Sequence, residues 1–222
     1  SGLDDPEDDS NHTVVIPPEE VDLAFEMQLD PDSTREANVP ESLRIAMMDF
    51  ILTGLTKNIR RKNGIKVNKH HTMLIHIQWR NDDQSKTTEA VNRLFDEWKE
   101  LAEALIMGRE VRDFRDTLRE RWASEYESSP ETWSQILEEL SVPEDEGGWM
   151  GTVQVRMINS LDSEEKLDYD KHPQGLSVIA IGGNKLSRGL TLEGLTTSYF
   201  LRRTKMYDSL LQMGRWFGYR PG

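Results

Sequence analysis

Short apolar runs, each about the length of one β-strand, alternate along this chain with patterns typical of helices. The runs are residues 72–77 (TMLIHI), 152–158 (TVQVRMI), 176–181 (LSVIAI) and 196–201 (TTSYFL). Strands that alternate with helices form parallel sheets covered on both faces. The sequence therefore predicts an α/β fold built on an open, mostly parallel sheet.

Apolar residues at helical spacing predict the helices. The first helix begins at Pro40 and is followed by a basic connection over residues 57–69. A long amphipathic pattern interrupted by Gly108, and a further helix that Ser129 is expected to cap, lie between the first two strands. We therefore expect a helical insertion at about residues 80–142.

Composition excludes several classes of protein. The chain has 222 residues and no cysteine, so it offers neither a disulfide framework nor a thiolate metal site. No apolar run approaches the roughly 20 residues that span a bilayer. No secretory leader is visible, and a cytoplasmic location is expected.

The net charge of −13 is concentrated at the amino terminus. Residues 1–34 contain eleven acidic residues and no lysine or arginine, which leaves −2 for the rest. We expect residues 1–35 to form a partly disordered acidic arm and residues 36–222 to form the folded domain. The abrupt end after Pro221 suggests an excerpt of a longer protein.

Two later segments are basic. Residues 56–71 carry six basic residues and no acidic ones, and residues 185–222 carry seven against two. This pattern is compatible with a polyanionic partner, although unevenly distributed surface charge explains it equally well.

The segment with the most chemical information is residues 178–220. Its first strand carries Gly182 and Gly183 to the carboxyl edge of the sheet, where ligands bind in open α/β folds. The turn that follows contains Arg188 and Gly189, and glycine allows the backbone to approach a ligand closely. One strand later, a helix carries Gln212, Gly214, Arg215 and Arg220. Guanidinium groups on a rigid element suit a phosphate chain.

The order strand, SRGL turn, strand and QMGRWFGYR helix resembles motifs V and VI in the second RecA-like lobe of superfamily-two helicases. More closely, residues 40–60, TMLIH, GGNKLSRGLTLEGL and YDSLLQMGRWFGYR resemble the Z-one domain. That domain occurs in candidate ATP-dependent endonucleases and helicases of bacterial restriction or phage-defence operons. The resemblance covers about residues 40–222.

The resemblance implies roles for individual residues. Arg215 matches an arginine finger that reaches the γ-phosphate of ATP held by a partner lobe, and Arg220 is the candidate second finger. The nucleotide-binding set that it implies is Gln212, Gly214, Arg188 and Gly189. The nucleic-acid-binding set is Asn184, Lys185, Thr191, Arg202 and Arg203.

Two positions depart from the helicase pattern. Arg215 and Arg220 are five residues apart, whereas the usual arginine pair is three apart. Thr191 stands where the motif V turn usually has an acid, and Glu193 is a nearby carboxylate that could replace it.

The resemblance also implies the cofactors and partners. ATP and Mg²⁺ are expected in the full-length protein, and the sequence contains no G-x-x-x-x-G-K-[ST] loop of its own to hold them. The expected partners are nucleic acid, with DNA favoured, and a first RecA-like lobe of the same polypeptide. No membrane partner and no metal site are predicted, since the five histidines show no metal-binding spacing.

Three functions remain open from the sequence. The first is a motor lobe of an ATP-dependent nucleic-acid translocase, helicase-like or associated with an endonuclease. The second is a non-enzymatic nucleic-acid-binding or assembly module of a restriction or defence complex. The third is an endonuclease that acts through this segment, for which no convincing carboxylate cluster is found.

We expect the isolated chain to hydrolyse no ATP above background, because an arginine finger needs a nucleotide that another lobe holds. A phosphate-release assay with and without nucleic acid measures this. Turnover of ATP above background by the purified chain would contradict this expectation.

Overall fold

The computed structural model describes residues 14–17, 20, 39–76, 81–158, 167–182 and 192–200. The helices in these residues are α1 (Glu41–Lys62), α2 (Asn81–Ile106), α3 (Arg112–Glu125), α4 (Trp133–Leu140) and the short α5 (Trp149–Thr152). The strands are β1 (His71–His76), β2 (Val153–Ile158), β3 (Ser177–Gly182) and β4 (Leu195–Phe200). Two 3₁₀ turns occupy Glu144–Glu146 and Tyr169–Lys171.

The four strands form one parallel sheet in the order β2-β3-β1-β4. β1 is an inner strand, paired with β3 on one side and β4 on the other, and all six of its residues are buried. The predicted α/β fold is therefore confirmed, and the architecture is consistent with a RecA-like open sheet. Continuous burial explains why the β1 sequence is apolar without alternation.

Alternate residues of the strands belong to two hydrophobic clusters, one on each face of the sheet. Met73 and Ile75 of β1 face the helices, in the larger cluster, which includes Phe50 and Trp98. Leu74 faces the other way, in a smaller cluster. In the described part of the chain the other members of that smaller cluster are Leu167, Tyr169, Leu176, Val178, Ala180 and Leu192. The larger core therefore lies between the sheet and the helices.

The structure corrects the predicted connection after the first helix. Helix α1 continues to Lys62, well into the basic stretch that the sequence interpretation assigned to a loop over residues 57–69. Basic residues in the last turn of a helix interact favourably with its dipole, so the basic stretch suits a helix end. Gly64, with φ of 75°, follows that end, a conformation that glycine adopts without strain.

The structure also corrects the predicted cap of the helix after Ser129. Helix α4 begins at Trp133, and its cap is Thr132, whose side chain and that of Gln135 form a reciprocal capping box. The Ser129 hydroxyl instead donates a 2.6 Å hydrogen bond to the carboxylate of Glu131. A cap with its glutamine three residues later is the stronger signal, because it satisfies two backbone donors at once.

Gly54 of α1 packs against Trp149 of α5. A side chain at this helical position would overlap the indole of Trp149. Trp149 also lies over Phe50, with ring centroids 5.8 Å apart, and donates from its indole nitrogen to the Ser177 hydroxyl at 3.1 Å. The absent side chain of Gly54 therefore allows the tryptophan to bridge α1 and the start of β3.

We expect Gly54→Ala to lower the free energy of unfolding by about 1–3 kcal/mol, because overpacking outweighs the gain in helix propensity. Chemical denaturation measures the change. In a Trp149→Leu background the same substitution should cost little or become stabilising. An equal cost in both backgrounds would show that contact with Trp149 is not the reason.

Candidate functional site at the carboxyl edge of the sheet

The carboxyl ends of all four strands meet at one edge. The last row across the sheet is Ile158, Gly182, His76 and Phe200, each paired in register with the next. In open α/β sheets this edge is where ligands bind. Gly182 and Phe200, the last residues before the two sequence motifs, therefore lie on either side of His76.

His76 forms the centre of this edge. Its side chain is buried, and its ring stacks on the ring of Phe200, with centroids 4.7 Å apart and planes inclined by 25°. Gly182, its neighbour on the other side, presents no side chain. An aromatic pair therefore lies next to a residue without a side chain at the centre of the carboxyl edge. His76 was predicted only as part of the strand, although a polar ring near the end of an apolar run was the available signal.

The amino end of α1 reaches the same edge. The Ser42 hydroxyl lies 3.1 Å from the hydroxyl of Tyr199, which is the penultimate residue of β4. Burial raises the pKa of Tyr199, which keeps the phenol neutral and able to hydrogen-bond. The backbone N–H of Ser42 donates to the carboxylate of Glu20 at 2.8 Å. One residue of the predicted acidic arm is thus docked on the folded domain.

The residues predicted to carry chemistry lie outside the described residues. These are Asn184, Lys185, Arg188, Gly189, Thr191, Arg202, Arg203, Gln212, Gly214, Arg215 and Arg220. The described part fixes the points from which their segments leave the sheet, Gly182 for the first and Phe200 for the second.

Glu193, the candidate replacement for the motif acid, does not lie at the carboxyl edge of the sheet. It immediately precedes Gly194 and β4, and its carboxylate is 3.7 Å from Nε2 of His70, next to the start of β1. Six-residue strands are roughly 17–20 Å long, so Glu193 lies at the opposite edge of the sheet.

That opposite, amino edge is held by a buried polar cluster. Nδ1 of His70 accepts a hydrogen bond from the Leu176 backbone N–H at 3.1 Å, and burial lowers the pKa of the imidazole. The Thr72 hydroxyl donates to the Glu193 carbonyl at 2.7 Å, so the Tyr169 hydroxyl, 3.0 Å away, donates to Thr72. These contacts join the starts of β1, β3 and β4, and their role is structural.

His70 and His71 contact opposite faces of the sheet, because successive residues of an extended chain alternate in direction. His71 stacks on Phe50 at 4.4 Å, and its Nε2 lies 2.9 Å from the Phe50 carbonyl. A carbonyl only accepts, so Nε2 carries the proton in this structure. In the described part of the chain no three His, Asp or Glu side chains are grouped to hold a metal ion.

The basic stretch at residues 56–71 is partly neutralised by acids distant in sequence. Arg60 makes a bidentate contact with Glu131, at 2.7 and 2.9 Å, and Lys62 contacts Glu139 at 2.7 Å. The Arg60 hydrogen bond lowers the pKa of Glu131 to about 2. These two cations therefore hold α1 against Glu131, which precedes α4, and against Glu139, which lies in the last turn of α4.

Comparison with known families identifies the chain. The family model of the Z1 domain matches residues 42–222, so the chain belongs to the Z1 domain family. This is the Z-one resemblance drawn from the motifs, and it is confirmed. No curated protein and no solved structure matches the chain significantly. None of the helices in the described residues combines the length and the apolar character that crossing a membrane requires.

We expect His71 to make stability depend on pH. Burial first, and then the charge of Lys57, lowers the pKa of His71 from its ordinary value of 6.5 to about 3. Between these values the unfolded chain binds a proton that the folded chain does not, so stability decreases as pH falls from 6.5 toward 3. The slope from this group approaches about 1.4 kcal/mol per pH unit.

Denaturation of wild type and His71→Phe across this range tests the expectation. Phenylalanine keeps the stacking on Phe50 and cannot titrate, so the variant should be less sensitive to pH. Glu131, with its pKa of about 2, contributes only below about pH 4.5, which makes pH 5–6.5 the informative interval. Parallel pH profiles for the two proteins would contradict the assignment to His71.

Proposed function

We propose that this Z1 domain is the second motor lobe of an ATP-dependent nucleic-acid translocase, helicase-like or associated with an endonuclease, in a restriction or phage-defence system. ATP and Mg²⁺ are held mainly by a first RecA-like lobe. Arg215, with Arg220 as its partner, completes the catalytic site when the lobes close.

The strand order is the observation that carries this proposal. β3 and β4, which precede the two motif segments, are not neighbours but flank β1. Gly182 and Phe200 end in one row, two strand spacings apart, which is about 10 Å. Both motif segments therefore leave the sheet from one edge, which supports a shared site for the SRGL turn and the QMGRWFGYR helix.

The chemistry of the side chains fits that site. A guanidinium stabilises the charge that develops on a transferring phosphoryl group and binds phosphate oxygens in a planar, bidentate way. Gly182 and Gly183 leave the start of the first motif segment without side chains, which suits close approach of a phosphate chain to the backbone. In this proposal Arg188 and Gly189 contact the nucleic-acid backbone and couple that contact to the bound nucleotide.

The test uses the protein that carries both lobes. We expect Arg215→Ala to reduce ATP hydrolysis by about 10³-fold or more while nucleotide affinity changes little, because the arginine acts in the transition state. Arg215→Lys should restore only part of the rate, since lysine cannot make the bidentate contact. Steady-state phosphate release and binding of a fluorescent ATP analogue measure the two properties.

Arg115→Ala provides the matched control. Arg115 is a partly exposed arginine of α3, paired with its neighbour Asp116 and far in sequence from both motifs. Its loss should leave turnover unchanged. Wild-type turnover by Arg215→Ala would refute the motor role, and absence of ATP hydrolysis from the two-lobe protein would favour the non-enzymatic binding module.

A further inference from the structure

The loop between α1 and β1 is held in one conformation by several contacts. We use the name basic loop for residues 63–70, which connect α1 to β1, together with Arg61 in the last turn of α1. Gly64 turns the chain in the left-handed region, and the N–H of Ile65 donates to the Arg60 carbonyl at 2.9 Å. Nζ of Lys57 donates to the His70 carbonyl at 2.7 Å, and the Arg61 guanidinium donates to the Lys69 carbonyl at 3.1 Å. Both ends of the loop are therefore fixed.

The six cations of this region fall into two groups. Arg60 and Lys62 pair with Glu131 and Glu139, and Lys57 is partly buried against backbone. The other three, Arg61, Lys66 and Lys69, are exposed, and no acidic side chain in the described ranges forms an ion pair with them. The chain as a whole has 40 acidic and 27 basic residues, so these three cations form a local positive surface on an acidic protein.

The neighbouring turn at Tyr169–Lys171 adds no unpaired lysine to this positive surface. Gly175 packs directly on the carbonyl of Lys69, which brings the turn at Tyr169–Lys171 alongside. Lys171 on that turn is neutralised by Asp168 at 3.2 Å, and Glu193 lies toward His70. The unbalanced charge is therefore that of the basic loop itself.

An apolar side chain lies within the same loop. Ile65 is 52% exposed and is adjacent in sequence to Lys66. A single exposed isoleucine is ordinary, but here the backbone holds it among cations. Cations bind phosphates, while an apolar side chain among them can pack against a sugar or a base.

We propose that the basic loop is a nucleic-acid contact at the amino edge of the sheet, in which Arg61, Lys66 and Lys69 bind backbone phosphates and Ile65 packs on the sugar-base surface. The choice of nucleic acid as partner rests on the proposed function. The loop lies at the opposite edge from Gly182 and Phe200, so nucleic acid binds there without competing for the nucleotide.

The experiment measures binding of the full 222-residue chain to fluorescein-labelled oligothymidine and to a labelled DNA duplex by anisotropy. Lys66→Gln/Lys69→Gln should weaken binding by about tenfold at low salt and reduce the slope of log K against log salt by about one to two. Ile65→Ser should weaken binding and leave that slope unchanged, because it removes no charge.

Lys86→Gln/Lys99→Gln is the matched control, with the same change of net charge on α2. It should bind as wild type does. An equal loss in this control, wild-type affinity in Lys66→Gln/Lys69→Gln, or no DNA binding by any protein would overturn the proposal. Loss of binding to phosphatidylserine vesicles with DNA affinity unchanged would assign the loop to a membrane surface and overturn it as well.

The outcome is separable from that of the motor proposal. In the two-lobe protein, Lys66→Gln/Lys69→Gln should leave ATP hydrolysis without nucleic acid at the wild-type rate and raise the DNA concentration needed for stimulation. If Arg215→Ala kept full turnover while the loop variants lost DNA binding, the motor role would fail and the loop contact would stand.

Discussion

The pairing of β1 with a parallel strand on each side is the constraint on which the rest of this structure depends. β3 and β4 pair with the two edges of β1, so its backbone hydrogen bonds are made within the sheet. Its side chains are buried on both faces and pack against the two hydrophobic clusters. The same pairing separates β3 from β4 by one strand and aligns their last residues with His76. The site proposed for the Z1 domain therefore depends on the position of β1 between β3 and β4.

Three histidines of this segment show how position controls chemistry. His70 precedes β1 and fixes the amino edge through the Leu176 amide, while His71 lies in the helical core as a neutral ring on Phe50. His76 ends the strand and stacks on Phe200 at the carboxyl edge. One residue type thus serves two structural roles and one place at the candidate site, because successive strand residues alternate in direction.

Charge pairing of α1 with Glu131, just before α4, and with Glu139, in the last turn of α4, divides the basic stretch into structural and available cations. Glu131 and Glu139 neutralise Arg60 and Lys62, which lie on the side of α1 that packs against α4. Half-buried, hydrogen-bonded pairs of this kind hold elements in register more than they add net stability. The cations that remain are on the loop, where they face solvent, and that separation motivates the proposed contact at the amino edge.

The sequence by itself determined the class of fold, the strand positions to within a residue, and the Z1 family. The apolar runs of the strands and the spacing of the motifs are local properties of the sequence, so they can be recognised without the structure. Only the tertiary structure decided that Glu193 lies at the amino edge, that Thr132 caps α4, and that two cations of the basic stretch are already paired. Those outcomes depend on partners about 70 to 120 residues away or on competition between adjacent caps. Composition and periodicity describe one segment at a time, so they do not show which distant side chains contact that segment in the folded protein.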